Sequence, residues 1–182
     1  MRRFRLTVVF LLCLHLLGLL FLTLFRCVEY AALNGTMSAA QGEVSALGAF
    51  VRGVWFDNVV GCYILIVPLV VVLLAACFNR FQSGWRRFAQ WWYVVSYVIV
   101  LAISASNIPY YAYFAKNINS SIFNWFGYAN TTAGMVVGES SYWLYIALFV
   151  VATLLYTGGV VMIRRYFDRL IGQDRRELLS VR

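Results

Sequence analysis

Residues 59–78 read VVGCYILIVPLVVVLLAACF, twenty residues without a charge. Roughly 20 mainly apolar residues in a helix suffice to cross the hydrocarbon core of a bilayer, so this stretch predicts a membrane span. Inside it Pro68 has no amide hydrogen, which predicts a kink near the middle and leaves the Ile64 carbonyl in need of a neighbour or water.

Three further apolar runs of similar length flank it, at about 6–25, 91–109 and 142–163. The chain is 63% hydrophobic and only 12% charged, against about a quarter charged in soluble domains, which excludes a soluble globular class. The fold expected is all-α: one membrane domain over 1–182, a bundle of four transmembrane helices with two short interfacial helices in the outer loops. The first run follows a basic start, yet no small-residue cleavage site follows promptly after Phe25, so it is read as a retained span rather than a signal peptide.

The basic residues orient the bundle. Twelve of the fifteen lie in three segments: Arg2, Arg3 and Arg5; Arg80, Arg86 and Arg87; and Arg164, Arg165, Arg169, Arg175, Arg176 and Arg182. The two longer connectors hold only Arg26, Arg52 and Lys116. Cytoplasmic loops collect Lys and Arg, so both termini are expected in the cytoplasm. The net charge of +8 sits at membrane ends, where anionic phospholipid headgroups and topology account for it, and no nucleic-acid partner is implied.

Aromatic residues mark the expected interfaces: Trp55 and Phe56 before the second span, Trp91, Trp92 and Tyr93 at the inner end of the third, Tyr142, Trp143 and Tyr145 at the outer start of the fourth. In the first outer connector Val44, Leu47, Val51 and Val54 recur at helical spacing, predicting a surface helix over 38–54. In the second, Ser120 or Ser121 caps a short helix carrying Ile122, Phe123, Trp125 and Phe126. Gly158 and Gly159 allow a close helix approach or a bend in the fourth span.

Polar residues near the spans are the site candidates. His15 lies in the middle of the first span; a neutral imidazole hydrogen-bonded within the bundle is the main reading, a functional group the alternative. Asp57 stands at the outer mouth of the second span, where a carboxylate near a helix start accepts from free amides, the alternative being contact with Lys116 or lipid headgroups. Cys13, Cys27, Cys62 and Cys77 lack the close spacing of a metal site and read as apolar cysteines, a Cys27–Cys62 bridge near the outer face being the alternative. With one histidine, no phosphate-binding Gly loop and no carboxylate cluster, no catalytic, cofactor or metal site is assembled from this chain. The lack of charged residues at mid-depth weighs against a coupled transporter. Sequons at Asn34, Asn119 and Asn130 fall in the outer connectors and would matter only in a eukaryote.

Two stretches resemble a family. Gly53-Val-Trp-Phe56-Asp57, leading into Tyr63-Ile-Leu-Ile-Val-Pro68, resembles the G-x-x-F-D and Y-I-x-x-x-P pattern in the N-terminal membrane domain of bacterial lipoteichoic-acid-synthase-like proteins, sulfatase-type phosphoglycerol transferases of the alkaline phosphatase superfamily. Asn107-Ile-Pro-Tyr110-Tyr111-Ala-Tyr113-Phe114, continuing to Trp125, is similar to the segment leaving that domain's third span, where the family carries an acidic residue in place of Asn107. The resemblance implies a bacterial cytoplasmic membrane protein whose five spans precede an extracytoplasmic domain with a nucleophilic threonine and a divalent metal such as manganese. Neither the fifth span nor that domain is in this sequence, and residues 164–182 then correspond to the connector between spans four and five. Gly53, Phe56, Asp57, Asn107, Tyr110 and Tyr111 are the motif residues expected at the outer interface. The expected role is to anchor and orient that catalytic domain. The alternative is a stand-alone, non-enzymatic four-span scaffold or a subunit of a partner membrane protein.

Overall fold

The computed structural model describes residues 2–40, 46–78, 84–114, 116–119, 134, 138 and 140–180. All regular structure among them is helical: α1 (Arg2–Ala40), α2 (Ala46–Cys77), α3 (Gly84–Phe114) and α4 (Trp143–Ser180), the last entered through a 3-10 turn at Ser140–Tyr142. Each contains a segment long and apolar enough to cross a membrane: Phe4–Leu33, Phe50–Cys77, Gly84–Phe114 and Trp143–Gly172. The chain is a multi-pass membrane protein.

The helices outrun the apolar windows. The backbone hydrogen-bond ladder does not require apolar side chains, so each helix continues past its apolar run until the sequence breaks it. Two expectations change as a result. Residues 46–54 are not a separate surface helix but the first turns of α2, continuous with the span, because no breaker intervenes and Gly53 is held against α1. Pro109 does not end the third span; α3 runs on through it to Phe114. The second interfacial helix falls on residues outside those described.

Successive helices alternate in direction, and α1 packs against each of the other three. Phe10 near the start of α1 meets Phe167 late in α4 edge-on at 5.7 Å, and Phe21 meets Tyr156 at 5.4 Å. At that first end Arg86 Nε donates to Asp168 Oδ1 at 2.6 Å, and Arg164 lies 3.8 Å from the same carboxylate. We call this the Arg86 end and the opposite one the Arg26 end.

Spacing explains which face each helix buries. On α3 Ala89, Tyr93, Tyr97, Leu101 and Ala105 recur every four residues and form its buried seam, while Val95, Ile99 and Ile103 face outward. On α1 Leu11, Leu14, Leu22 and Phe25 turn inward and Leu12, Leu16, Leu20 and Leu24 outward. Lipid is as apolar as leucine, so the outward stripes cost nothing, and the helices associate through small residues and polar contacts. Gly159 shows this: a Cβ there would lie 3.1 Å from Leu17, so α1 and α4 touch closely at this glycine.

The centre is aromatic. Tyr93 and Tyr97 stack with centroids 6.1 Å apart, and Tyr97 meets Tyr156 at 5.0 Å. Tyr93 and Trp92 therefore depart from the expected interfacial belt. Tyr93 is fully buried and Trp92 is half-buried with its indole turned to α2, whereas Trp91 keeps an exposed face.

Candidate functional site: a polar seam between three helices

Four residues separate Gly53 from Asp57, which places them on one face of α2. That face meets Arg26 of α1. Arg26 donates Nε–H to Asp57 Oδ2 at 3.1 Å and Nη2–H to Oδ1 at 2.7 Å, and Nη2 also reaches the Gly53 carbonyl at 3.2 Å. The planar guanidinium fork is suited to such two-point contact with a carboxylate. Glycine leaves room for it: with the guanidinium where it stands, a Cβ at position 53 would overlap it and the side chain of Arg26 would have to shift. The Asp57 side chain is 13% exposed and that of Arg26 30%, so the pair is partly withdrawn from solvent.

This corrects the local role expected for Asp57. The residue lies about three turns inside α2, beyond the free amides of the first turn, and its carboxylate holds Arg26 rather than Lys116.

One turn further along α1, Glu29 accepts from Asn107 Nδ2 of α3 at 2.6 Å. The same amide nitrogen donates to Asn117 Oδ1 at 3.1 Å, and Asn107 Oδ1 accepts the Ile118 amide at 2.9 Å. Asn107 thus ties the chain leaving α3 back onto the helix end and joins both to α1. An acid at this position would set a second carboxylate against Glu29; the amide, with a donor and an acceptor, serves both neighbours.

Towards the centre the seam continues through His15, whose Nε2 lies 3.0 Å from Asn58 Oδ1 and donates to it. His15 is thus hydrogen-bonded within the bundle. Gly61 of α2 admits the ring, since a Cβ there would stand 2.7 Å from His15 Cε1 and 3.3 Å from the Tyr97 hydroxyl. Gly18 of α1 leaves the notch that the Tyr97 phenol fills. Still further along α2, Trp92 Nε1–H donates to the Ile64 carbonyl at 2.9 Å, the group that Pro68 leaves without a helical donor.

Of the expected motif residues, the structure brings Gly53, Asp57 and Asn107 into this seam. Phe56 points outward at 67% exposure, and Tyr110 and Tyr111 are half-buried near the end of α3, Tyr110 packing on Phe114 at 4.7 Å. All four cysteines are free, so the Cys27–Cys62 bridge is not formed. Ending the first span at Phe25 leaves Arg26 and Glu29 in a connector, whereas both lie within α1. The available signal was their three-residue spacing directly after an apolar run, which sets two opposite charges on one helix face.

Chemically the Arg26, Asp57, Glu29 and Asn107 part of the seam pairs its donors with acceptors, while deeper in the bundle His15 Nδ1 and the Tyr97 hydroxyl are buried without a hydrogen-bond partner among the described residues. Among the described residues no three His, Cys, Asp or Glu side chains gather closely enough to share a metal ion. The arrangement fixes helix rotation and register and holds the connector after α3. The fold and seam thus define a polytopic helical membrane domain with a polar clamp at one end. Comparison with family models, curated proteins and solved structures finds no match to the chain.

Proposed function

We propose that this chain is the membrane-anchoring domain of a lipoteichoic-acid-synthase-like protein, orienting a phosphoglycerol-transferase or sulfatase-type domain at the outer face of a bacterial cytoplasmic membrane. The observation that carries the reading is the meeting of the two family-like stretches. Gly53 and Asp57 from one and Asn107 from the other clamp neighbouring turns of α1 through Arg26 and Glu29. The sequence resemblance and the placement of its polar residues therefore converge on one end of the bundle.

In this reading the Arg86 end faces the cytoplasm, where the arginine-rich segments belong, and the Arg26 end faces outward. A catalytic domain resting on the outer face needs a platform that does not twist. The clamp supplies one by binding α1, α2, α3 and residues 117–118 into a single unit. The chain's partners are then the bilayer and that catalytic domain, and the divalent metal belongs to the latter.

The test begins with the coding sequence beyond codon 182. A further apolar span followed by a sulfatase-like domain, with manganese-dependent phosphoglycerol transfer by the whole protein, is the expected result. A stop codon at that point, together with stable co-purification of another membrane protein, would overturn it in favour of the stand-alone scaffold.

A further inference from the structure

On α4, Gly158, Met162, Arg165 and Arg169 follow at steps of four, three and four residues, so they form one stripe along the helix. With Thr157, Val161 and Tyr166 they line an open groove of about 540 Å³. All seven residues belong to α4, so the groove is a shallow channel along one helix, open to its surroundings, and not an enclosed cleft. Its upper part is apolar and its lower part cationic. Gly158 forms the open floor: a Cβ placed there would meet nothing within 4 Å.

The two arginines are uncommitted. Asp168, the nearby acid, is engaged by Arg86 and Arg164. Neither Arg165 nor Arg169 has a hydrogen bond or ion pair among the described residues, and both are exposed. They stand about 6 Å apart along the helix axis, one turn from each other. They follow directly on the apolar run of α4, which ends at Ile163, and so stand where that run gives way to charged residues. Tyr166, 60% exposed, lies at the same level, where amphipathic rings sit among headgroups.

We infer that this groove is a binding site for an anionic phospholipid, its phosphodiester held between Arg165 and Arg169 and an acyl chain lying along Met162, Val161 and Gly158. Guanidinium groups bind phosphate oxygens in two-point fashion, and a pair of them disfavours a headgroup that carries its own ammonium. The apolar wall directly above the cations matches a molecule whose charge and hydrocarbon are joined in that order. A soluble phosphate would use the arginines but not the wall.

The test is lipid selectivity of the full chain reconstituted in phosphatidylcholine bilayers, read by electron spin resonance of spin-labelled phosphatidylglycerol against spin-labelled phosphatidylcholine. The protein is expected to prefer phosphatidylglycerol. Arg165→Gln and Arg169→Gln should each lower that preference about fivefold, the double variant approaching none. Arg87→Gln, at the same end but outside the groove, should retain it. Gly158→Trp, which fills open space and keeps both arginines, should also lose it. Retention of the preference by the double variant, an equal loss in Arg87→Gln, or an unchanged preference in Gly158→Trp would each overturn the site. Displacement of the labelled lipid by millimolar glycerol phosphate would overturn the lipid as its occupant.

Discussion

The indole of Trp92 donates to the carbonyl of Ile64 at 2.9 Å, and that carbonyl is the one stranded by Pro68. A proline inside a membrane helix is thus compensated by a side chain from the neighbouring helix. Trp92→Phe should destabilise the protein by about 1–2 kcal/mol, the cost of leaving a buried acceptor unpaired. In a Pro68→Ala background, where the helical amide returns, the same change should cost clearly less. Unfolding in mixed micelles across the four-protein cycle measures the difference.

Asp57 and Arg26 should behave as one unit. Asp57→Asn or Arg26→Gln alone should each cost about 1.5–3 kcal/mol, towards the lower figure because Arg26 is partly exposed. Replacing both by apolar residues, Arg26→Met with Asp57→Leu, should cost less than either single change, since no unpaired charge remains. Thermal midpoints of the purified proteins report the order.

Asn107→Asp should set two carboxylates against each other at Glu29 and remove the amide donor that reaches Asn117, so that repulsion pushes position 107 away and loosens residues 117–118 even though a carboxylate oxygen can accept from the Ile118 amide. The expected readout is faster tryptic cleavage after the exposed Lys116, together with a loss of about 1–3 kcal/mol. Adding Glu29→Gln should restore protection. Cleavage at the wild-type rate in Asn107→Asp would show that the amide does not hold the connector.

Two glycines should respond in opposite ways to the same substitution. Gly18→Ala drives a methyl group into the buried Tyr97 phenol and should cost about 1–3 kcal/mol. Gly158→Ala points into open space and should stay within about 0.5 kcal/mol of wild type. Parallel denaturation of the two variants checks the contrast.

The number, order and approximate place of the helices are legible because span length is a local property: residues 59–78 need no knowledge of the rest of the chain. The stranded Ile64 carbonyl is legible for the same reason, being a consequence of covalent chemistry at Pro68. Its partner is not, because which α3 residue faces it depends on how two helices are rotated about their axes. Asp57 shows the same limit. Hydropathy placed it at a helix start, whereas the helix begins well before it, and the cation that answers it lies thirty-one residues earlier in the chain. Asn107 was visible as a departure from the family pattern, but its sense emerges only with Glu29 beside it.

Gly18, Gly53 and Gly61 carry a mechanical consequence. Each is a notch cut for one side chain: the Tyr97 phenol, the Arg26 guanidinium and the His15 ring. A slide of α1 along α2 by one turn, about 5.4 Å, would carry Leu22 or Tyr30 to the place of Arg26 and jam a bulky chain where only a notch of one shape exists. The three glycines therefore act as the wards of a key, admitting a single axial setting. A joint tilt of α1, α2 and α3 leaves all three fits intact, whereas a piston stroke of one helix against the others breaks them.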